Sequence, residues 1–362
     1  MEPILRAADI LRAFGADGAV LRVRDVVDRT GLHKATVSRL LQSLAAAGLV
    51  ERVKPVGFRS LTSLTPRRKL RVGYASQNER AEFPAQITAH LWRAAELYDV
   101  ELMVFDNRFN REVALRNIDA MVRKRVDVAI VFTTIEAIAR TISERLRSAG
   151  IPLIAVEMPL PGAPYYGANN YGAGWTAGQA LGRWARRQWK SRVERVVLIE
   201  LPEAGPLPEM RMTGALEGIR DVIPGIRDSQ VVRLDGRNDF AHSRRAVREW
   251  LSTAPAGNCL VAAINDPGAL GAIAAFRQAK HEGEYAVAGQ NATLAARLEM
   301  RRPGSPLIGS VAYHPERYGA ELTRMAIHLA QHRLVPDAVY AQHCFVGPRN
   351  VDRLFPGDRA IR

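Results

Sequence analysis

Cys259 and Cys344 are the only cysteines in a chain of 362 residues. They stand far apart and outside any metal-ligand spacing, so neither a disulfide framework nor a cysteine-held metal is expected, and a reducing compartment suits the chain. No apolar run has the length a bilayer requires. The opening stretch, "MEPILRAADILRAFGADG", alternates apolar and polar residues at helical spacing. It does not set a basic segment before an unbroken apolar one, so no export signal is read there. A cytoplasmic protein with no membrane partner is the expectation.

Catalytic patterns are missing as well. No nucleophile elbow, phosphate loop or paired catalytic carboxylate occurs in the context its chemistry needs. "GAGWTAG" (172–178) has glycines spaced somewhat like a dinucleotide loop. No long hydrophobic strand precedes it and its third glycine comes one residue late, so close packing at a helix start is the better reading. His328 and His332 lie one helical turn apart with no third ligand in view, which fits a solvated helix face. No enzyme activity, cofactor or metal is therefore expected.

What the chain does have is positive charge, and it is unevenly placed. The formal net charge is +14. Residues 1–69 hold 13 Lys and Arg against 6 Asp and Glu, so half of that excess sits in less than a fifth of the chain. A concentrated basic segment favours a polyanionic partner.

Within it, "TGLHKATVSRLLQSLAAAGLVERV" (30–53) answers to a helix with two different flanks. Val37, Leu40, Leu41 and Leu44 form one apolar stripe. The opposite flank carries Ala35, Arg39 and Gln42 beside Thr36, Ser38 and Ser43. An arginine there suits guanine edges or phosphate, a glutamine suits adenine, and small neighbours allow deep entry into a major groove. Val23, Val26 and Val27 predict a shorter helix before it. Thr30-Gly31-Leu32 makes a tight turn between the two, with Gly31 free to take positive φ. An earlier helix near residues 4–14 offers Ile4, Leu5, Ala8, Leu11 and Phe14 to the same core. Gly48 stops the second helix. Residues 50–53 and 57–64 then read as a hairpin that sets Arg52, Lys54 and Arg59 for backbone phosphates. The alternative for the whole segment is a three-helix packing module that touches no DNA.

"DVVDRTGLHKATVSRLLQSLAAAGLVER", with turn, helix and wing in order, resembles the winged helix-turn-helix of IclR-type bacterial regulators. The resemblance covers about residues 2–64 and implies a double-stranded DNA operator as partner, contacted by Lys34, Thr36, Ser38, Arg39, Gln42, Arg52, Lys54 and Arg59. Residues 1–64 are read as this DNA-binding domain and 65–69, "TPRRK", as a basic linker.

From Leu70 onward, apolar strands alternate with amphipathic helices. Strands are expected at 70–75, 100–105, 126–132, 151–157, 193–201, 230–234, 259–264, 285–290 and 307–312, with helices between them. This pattern means parallel sheets covered by helices, an α/β class. Nine strands exceed one ordinary sheet, so two α/β lobes are expected, with a ligand at the carboxyl ends of their strands. Lobe one is placed at about 70–170 and 314–333, lobe two at about 171–313 and 334–362.

"DVAIVFTT", "AGIPLIAVE", "YYGANNYGAGWTAGQALGRW", "AAINDPGALGAIAAFRQA" and "IGSVAYHPERYGAELTRMAIH" resemble, in this order, the periplasmic-binding-protein type I fold of ribose-binding proteins and lactose-repressor-type effector domains. The resemblance covers about residues 70–346. It implies ligand-binding roles for Asn78 and Phe83 after the first strand, for Glu157 at a strand end, and for Arg211 in "RMTG". It implies the same for Asn238 or Asp239, for the Asn265-Asp266 pair, for Asn291 where relatives have Asp, and for Tyr313. Planar amides and carboxylates satisfy hydroxyls while an aromatic wall packs on C–H surface. Asp266 is the residue expected to matter most. Glu157-Met158 stands where ribose-binding relatives have Asp-Arg, and Asn291 lacks a charge. A sugar or polyol other than ribose is thus the expected effector, and a sugar phosphate would need more cations than Arg211.

Together these resemblances imply a ligand-responsive transcription regulator, a repressor by default, acting as a homodimer or dimer of dimers. A sugar solute-binding protein for a transporter is the alternative, and an α/β enzyme acting on sugar a more distant one.

Overall fold

Val37, Leu41 and Leu44 lie on one side of the second long helix and are buried, with Leu40 half-buried beside them. That stripe organises the N-terminal unit. The computed structural model describes residues 2–14, 19–61, 68–253, 257–279, 281 and 283–361. The chain divides into two units, Met1–Lys69 and Leu70–Arg362, each with its own core.

The first unit contains α1 (Glu2–Ala13), β1 (Val20–Leu21), α2 (Val23–Thr30), α3 (Lys34–Ala46), β2 (Val50–Val53) and β3 (Gly57–Ser60). Gly31 ends α2 at φ 67°, its N–H donating to Val27 O at 2.9 Å, so the chain turns at once into α3. β2 and β3 pair antiparallel as the wing, and β1 adds to the outer side of β3. β1 was not expected; two residues carry no readable period. Residues 62–64 of the expected second wing strand and 65–67 of the linker lie outside the described residues. α1 needs a correction. Its buried face is Ile10, Leu11 and Phe14 with half-buried Ala7 and Ala8, while Ile4 and Leu5 are exposed. The stripe that closes the core begins one turn later than the first apolar residues of the chain.

The second unit is two α/β lobes. In order, the chain forms β4 (Leu70–Ser76), α4 (Glu82–Leu97), β5 (Val100–Asp106), α5 (Arg111–Arg123), β6 (Val128–Phe132), α6 (Ala139–Ser148), β7 (Leu153–Val156) and β8 (Tyr165–Ala168). It then crosses to α7 (Asn170–Trp189), β9 (Arg195–Glu200), α8 (Pro206–Val222), β10 (Val231–Asp235), α9 (Phe240–Leu251) and β11 (Cys259–Ala263). α10 (Asp266–Ala279), β12 (Tyr285–Gln290), α11 (Leu294–Met300) and β13 (Leu307–Ala312) complete that run. The chain returns through α12 (Pro315–Ala330) and β14 (Ala338–Ala341), then crosses again to β15 (Cys344–Val346) and α13 (Val351–Leu354).

The first sheet has the order β14-β8-β7-β6-β4-β5 and is parallel throughout. The second has the order β10-β9-β11-β12-β13-β15, with only β15 antiparallel. All nine strands read from the sequence are present. The lobe boundary needs one correction: residues 334–341 do not belong to lobe two. β14 pairs in parallel with β8, Ala338 opposite Tyr165 and Ala341 opposite Ala168, as an edge of the first sheet. Three crossings therefore join the lobes, at about residues 169, 313 and 343.

α7 and α8 pack with almost no side chain between them. A Cβ on Gly174 would stand 1.8 Å from Arg211 O, and one on Gly178 2.0 Å from Ala215 O. These glycines set the helix separation that the "GAGWTAG" stretch was read for, and they place Arg211 of α8.

Candidate functional site

The free flank of α3 is open. Lys34, Ala35, Arg39, Gln42 and Ser43 are exposed; Thr36 and Ser38 are half-buried. Among the described residues, the Lys34, Arg39 and Gln42 side chains have no hydrogen-bond or ion-pair partner within the chain. Arg52 and Lys54 are likewise exposed and unpaired. Arg59 differs: it faces Glu51 across the hairpin and pairs with it at 3.3 Å. A phosphate at Arg59 has to compete with that carboxylate. His33, not singled out in the sequence, caps α3 by accepting from Ala35 N at 3.4 Å.

In the second unit a cavity of about 130 Å³ lies between the lobes. At about 10–15 Å³ per water it has room for roughly ten, the scale of a monosaccharide or cyclitol. Its residues follow the carboxyl ends of strands from both sheets: Gln77 after β4, Thr134 after β6, Glu157 after β7, Asn238 after β10, Asn265 after β11 and Asn291 after β12. Phe83 and Phe132 supply an aromatic wall, edge to face with centroids 6.4 Å apart.

Of the residues proposed from the sequence, Phe83, Glu157, Arg211, Asn238, Asn265 and Asn291 line this cavity together. Four do not. Asn78 turns into its own loop, accepting from Arg80 N at 3.1 Å, and Gln77 takes the cavity position one residue earlier. Asp239 caps α9, accepting from His242 N at 2.8 Å. Tyr313 is buried beneath the site; its hydroxyl donates to Gln290 Oε1 and its ring lies 5.0 Å from the Arg211 guanidinium. Asp266 is the main correction. It is fully buried and points away, accepting from Ser310 Oγ and from Thr293 N, each at 2.6 Å. It is the first residue of α10, a turn beyond the strand end that presents Asn265. Burial pushes its carboxyl up to about 7, against the two hydrogen bonds.

The charged centre of the cavity is already neutralised. Arg211 donates through Nε and Nη2 to Asn170 Oδ1 at 3.0 and 2.7 Å and through Nη1 to Ile264 O at 2.7 Å. Its Nη2 is 3.8 Å from Glu157 Oε2. Glu157 also accepts from the Tyr318 hydroxyl and from Ala168 N at 3.2 Å. Burial raises the Glu157 pKa, and Arg211 and these hydrogen bonds work against that rise. Asn265 Oδ1 accepts from Gly268 N at 2.8 Å and its Nδ2 donates to Asn238 Oδ1. Apart from Glu82 at the rim, the remaining polar lining is neutral amide and hydroxyl, Gln77 holding Thr134 Oγ1 at 2.7 Å. Such a set recognises vicinal hydroxyls and offers a net anion little.

The lobes also touch at the cavity rim. Glu82, at the start of α4 in lobe one, accepts from Leu294 N at the start of α11 in lobe two, both oxygens at 2.9 Å. Arg297 stands 3.8 Å from the same carboxylate. Glu82 and Thr293 both line the cavity and neither was singled out in the sequence. Glu82 opens an amphipathic helix, where an acid is ordinary dipole chemistry; nothing local marks it as a bridge.

Two lobes with parallel sheets, a cavity at their strand ends and a separate helix-turn-helix unit define a ligand-binding cleft protein with a DNA-binding type of head. The chain belongs to the periplasmic binding protein domain family, whose model matches residues 75–334. Residues 3–54 match the IclR helix-turn-helix domain. No curated protein matches the chain. Among solved structures, a periplasmic solute-binding protein of an ABC transporter from Actinobacillus succinogenes 130z, with bound D-allose, is 19% identical, with a TM-score of 0.65 over 79% of this chain and 100% of that one. A Caulobacter myo-inositol binding protein, bound to myo-inositol, is 20% identical, with a TM-score of 0.66 over 80% and 98%. An ABC transporter solute-binding protein from Agrobacterium vitis, with bound allitol, is 16% identical, with a TM-score of 0.68 over 80% and 99%. Identity this low speaks for the fold. No helix among the described residues is long and apolar enough to cross a membrane.

Proposed function

We propose that this protein is a ligand-responsive transcription regulator that binds double-stranded DNA through α3 and its wing and takes a small neutral sugar or polyol in its cleft. The observation that carries the reading is the flank of α3: Arg39 and Gln42 stand exposed and unpaired while the leucines behind them are buried. An unpaired arginine and glutamine side by side on one exposed flank, among small neighbours, are side chains a major-groove reader uses. The amide lining of the cleft, with Arg211 held by Asn170, Ile264 and Glu157 and the Glu82 carboxylate taken up by Leu294 N at the rim, supports an uncharged hydroxylated effector. The solved relatives that share the fold carry D-allose, myo-inositol and allitol. Repression relieved by the effector, and a dimer on two half-sites, are the working forms of this reading.

The solute-binding alternative shares the cleft but leaves the basic helix-turn-helix unit without a task. Fluorescence anisotropy on duplexes from upstream of the gene separates the two. Specific binding that falls steeply with salt and changes when a sugar or polyol is added supports the regulator. Sugar binding with no sequence-specific DNA binding, over a panel of such duplexes, refutes it.

A further inference from the structure

A second cavity, of about 480 Å³, opens in lobe two and shares no residue with the cleft. It is bounded by the last turns of α7, the start of β13 and the turn after β15. Its floor is apolar: Trp184, Ile308 and Phe345. Both rings are held in place. Trp184 meets Trp189 edge to face with centroids 4.7 Å apart, and Phe345 lies against Gly309, where a Cβ would come 2.2 Å from its Cζ. The rim is cationic. Arg183, Arg187 and Arg349 line it and are exposed, and no carboxylate does so among the described residues. Arg183 bonds the neutral amide oxygen of Gln179. Arg187 and Arg349 have no ion-pair or hydrogen-bond partner among the described residues.

Elsewhere in this unit Arg297 and Arg301, close to one another, are matched by Asp358. Here three are brought together over an aromatic floor without one. That leaves self-repulsion that an anion relieves. A bare anion would leave the aromatic floor uncovered, and an apolar ligand would leave the arginines unpaired. A planar apolar body carrying phosphate satisfies both, and the volume is that of an ordinary small-ligand site. Arginine forks suit phosphate oxygens, and bases stack on aromatic side chains.

We propose that this cavity is a nucleoside-phosphate site, with the base on Trp184 and Phe345 and the phosphates on Arg187 and Arg349. Binding there gives the protein an input separate from the cleft effector.

The test titrates the full chain with ADP, adenosine and inorganic pyrophosphate, read by calorimetry and by tryptophan fluorescence. ADP is expected to bind one per chain and quench fluorescence, with adenosine and pyrophosphate each at least tenfold weaker. The double variant Arg187→Ala/Arg349→Ala, changed only at exposed positions, should weaken ADP at least tenfold while melting as the parent does. Trp184→Phe should keep the binding and lose the quench. Four results overturn the proposal: no heat with millimolar ADP, pyrophosphate binding as tightly as ADP, ADP affinity unchanged in the double variant, or an unchanged quench in Trp184→Phe. If ADP gives no heat while the double variant loses affinity for duplex DNA, the arginines serve a nucleic-acid backbone instead.

Discussion

Asp266→Asn should make the cleft unit more stable at neutral pH, although Asp266 opens a helix at the heart of lobe two. The carboxylate is fully buried, accepts from Ser310 Oγ and Thr293 N, and has its pKa pushed from an ordinary 3.8 up to about 7 by burial. The folded chain therefore holds a proton, between about pH 4 and pH 7, that the unfolded chain has released. Folding stability from this group is fully present below the unfolded pKa, falls as pH rises through the window, and is flat above the folded pKa. At about 1.36 kcal/mol per unit the whole window is worth about 4 kcal/mol, and the interval from about pH 5 to pH 7 about 2 kcal/mol. Carboxylates with the opposite shift mask this in the parent protein. Asp358, held low first by its bond from Arg297, gives stability that is present at neutral pH and lost on acidification. The difference between parent and variant isolates Asp266.

Asparagine fits the same geometry. Its carbonyl accepts from Thr293 N and its amide donates to Ser310 Oγ, the reverse of the parent's bond there, so the variant keeps both contacts without a proton to lose. All five tryptophans lie in residues 70–362, so intrinsic fluorescence during urea unfolding reports this unit alone. The variant's stability relative to the parent should rise by about 2 kcal/mol from about pH 5 to pH 7 and then level off. Parallel pH curves for the two proteins would refute the reasoning, because they would mean that Asp266 is ionised in the fold and that its two donors outweigh its burial.

The other predictions concern the two sites directly. Arg39→Ala should cost about 1–3 kcal/mol of specific DNA binding in an anisotropy titration and relax sequence preference; unchanged specific affinity removes α3 as the reading helix. Asn265→Ala should abolish the thermal shift produced by whichever sugar or polyol stabilises the parent, while Asp266→Asn keeps most of it; the reverse pattern returns the ligand role to Asp266. Gly178→Val should destabilise the cleft unit by about 3 kcal/mol or more, since its Cβ alone falls 2.0 Å from Ala215 O, and a urea midpoint equal to the parent's contradicts the close α7–α8 contact. Glu82→Gln should weaken the cleft ligand at least severalfold with little change in stability without it, because the carboxylate joins the lobes at the rim; equal affinity makes that bridge incidental.

The elements were legible because each has a period. Alternating apolar runs and amphipathic stretches marked nine strands at the right places, and the Val37-Leu41-Leu44 stripe marked both sides of α3 at once. β14 escaped because an edge strand of four residues, "AVYA", is half exposed and has no run to read. Its lobe was lost with it, since sheet membership depends on a pairing more than 160 residues away in the chain. The site was legible to within one residue, and that residue decided the outcome. At a strand end, neighbouring side chains point in opposite directions. Gln77 enters the cavity and Asn78 does not; Asn265 enters and Asp266 turns under the sheet. In the Asn265-Asp266 doublet the sequence reading favoured the charged member, but burial without a counter-charge favours the amide at a neutral site.

Glu82 shows why the remainder of the site could not be read locally. Its two oxygens sit on a single backbone N–H that is 212 residues away in sequence and belongs to the other lobe. A ligand shifts a two-state cleft only by the difference in its affinity for the open and closed forms. Residues of one lobe alone hold a ligand equally well in either form and contribute nothing to that difference. The cavity is lined from both lobes, by Gln77, Phe83, Thr134 and Glu157 on one side and Asn238, Asn265, Asn291 and Thr293 on the other. The coupling between effector and closure must come from contacts made to both sets together, and the Glu82–Leu294 bond, formed at the same rim, closes with them.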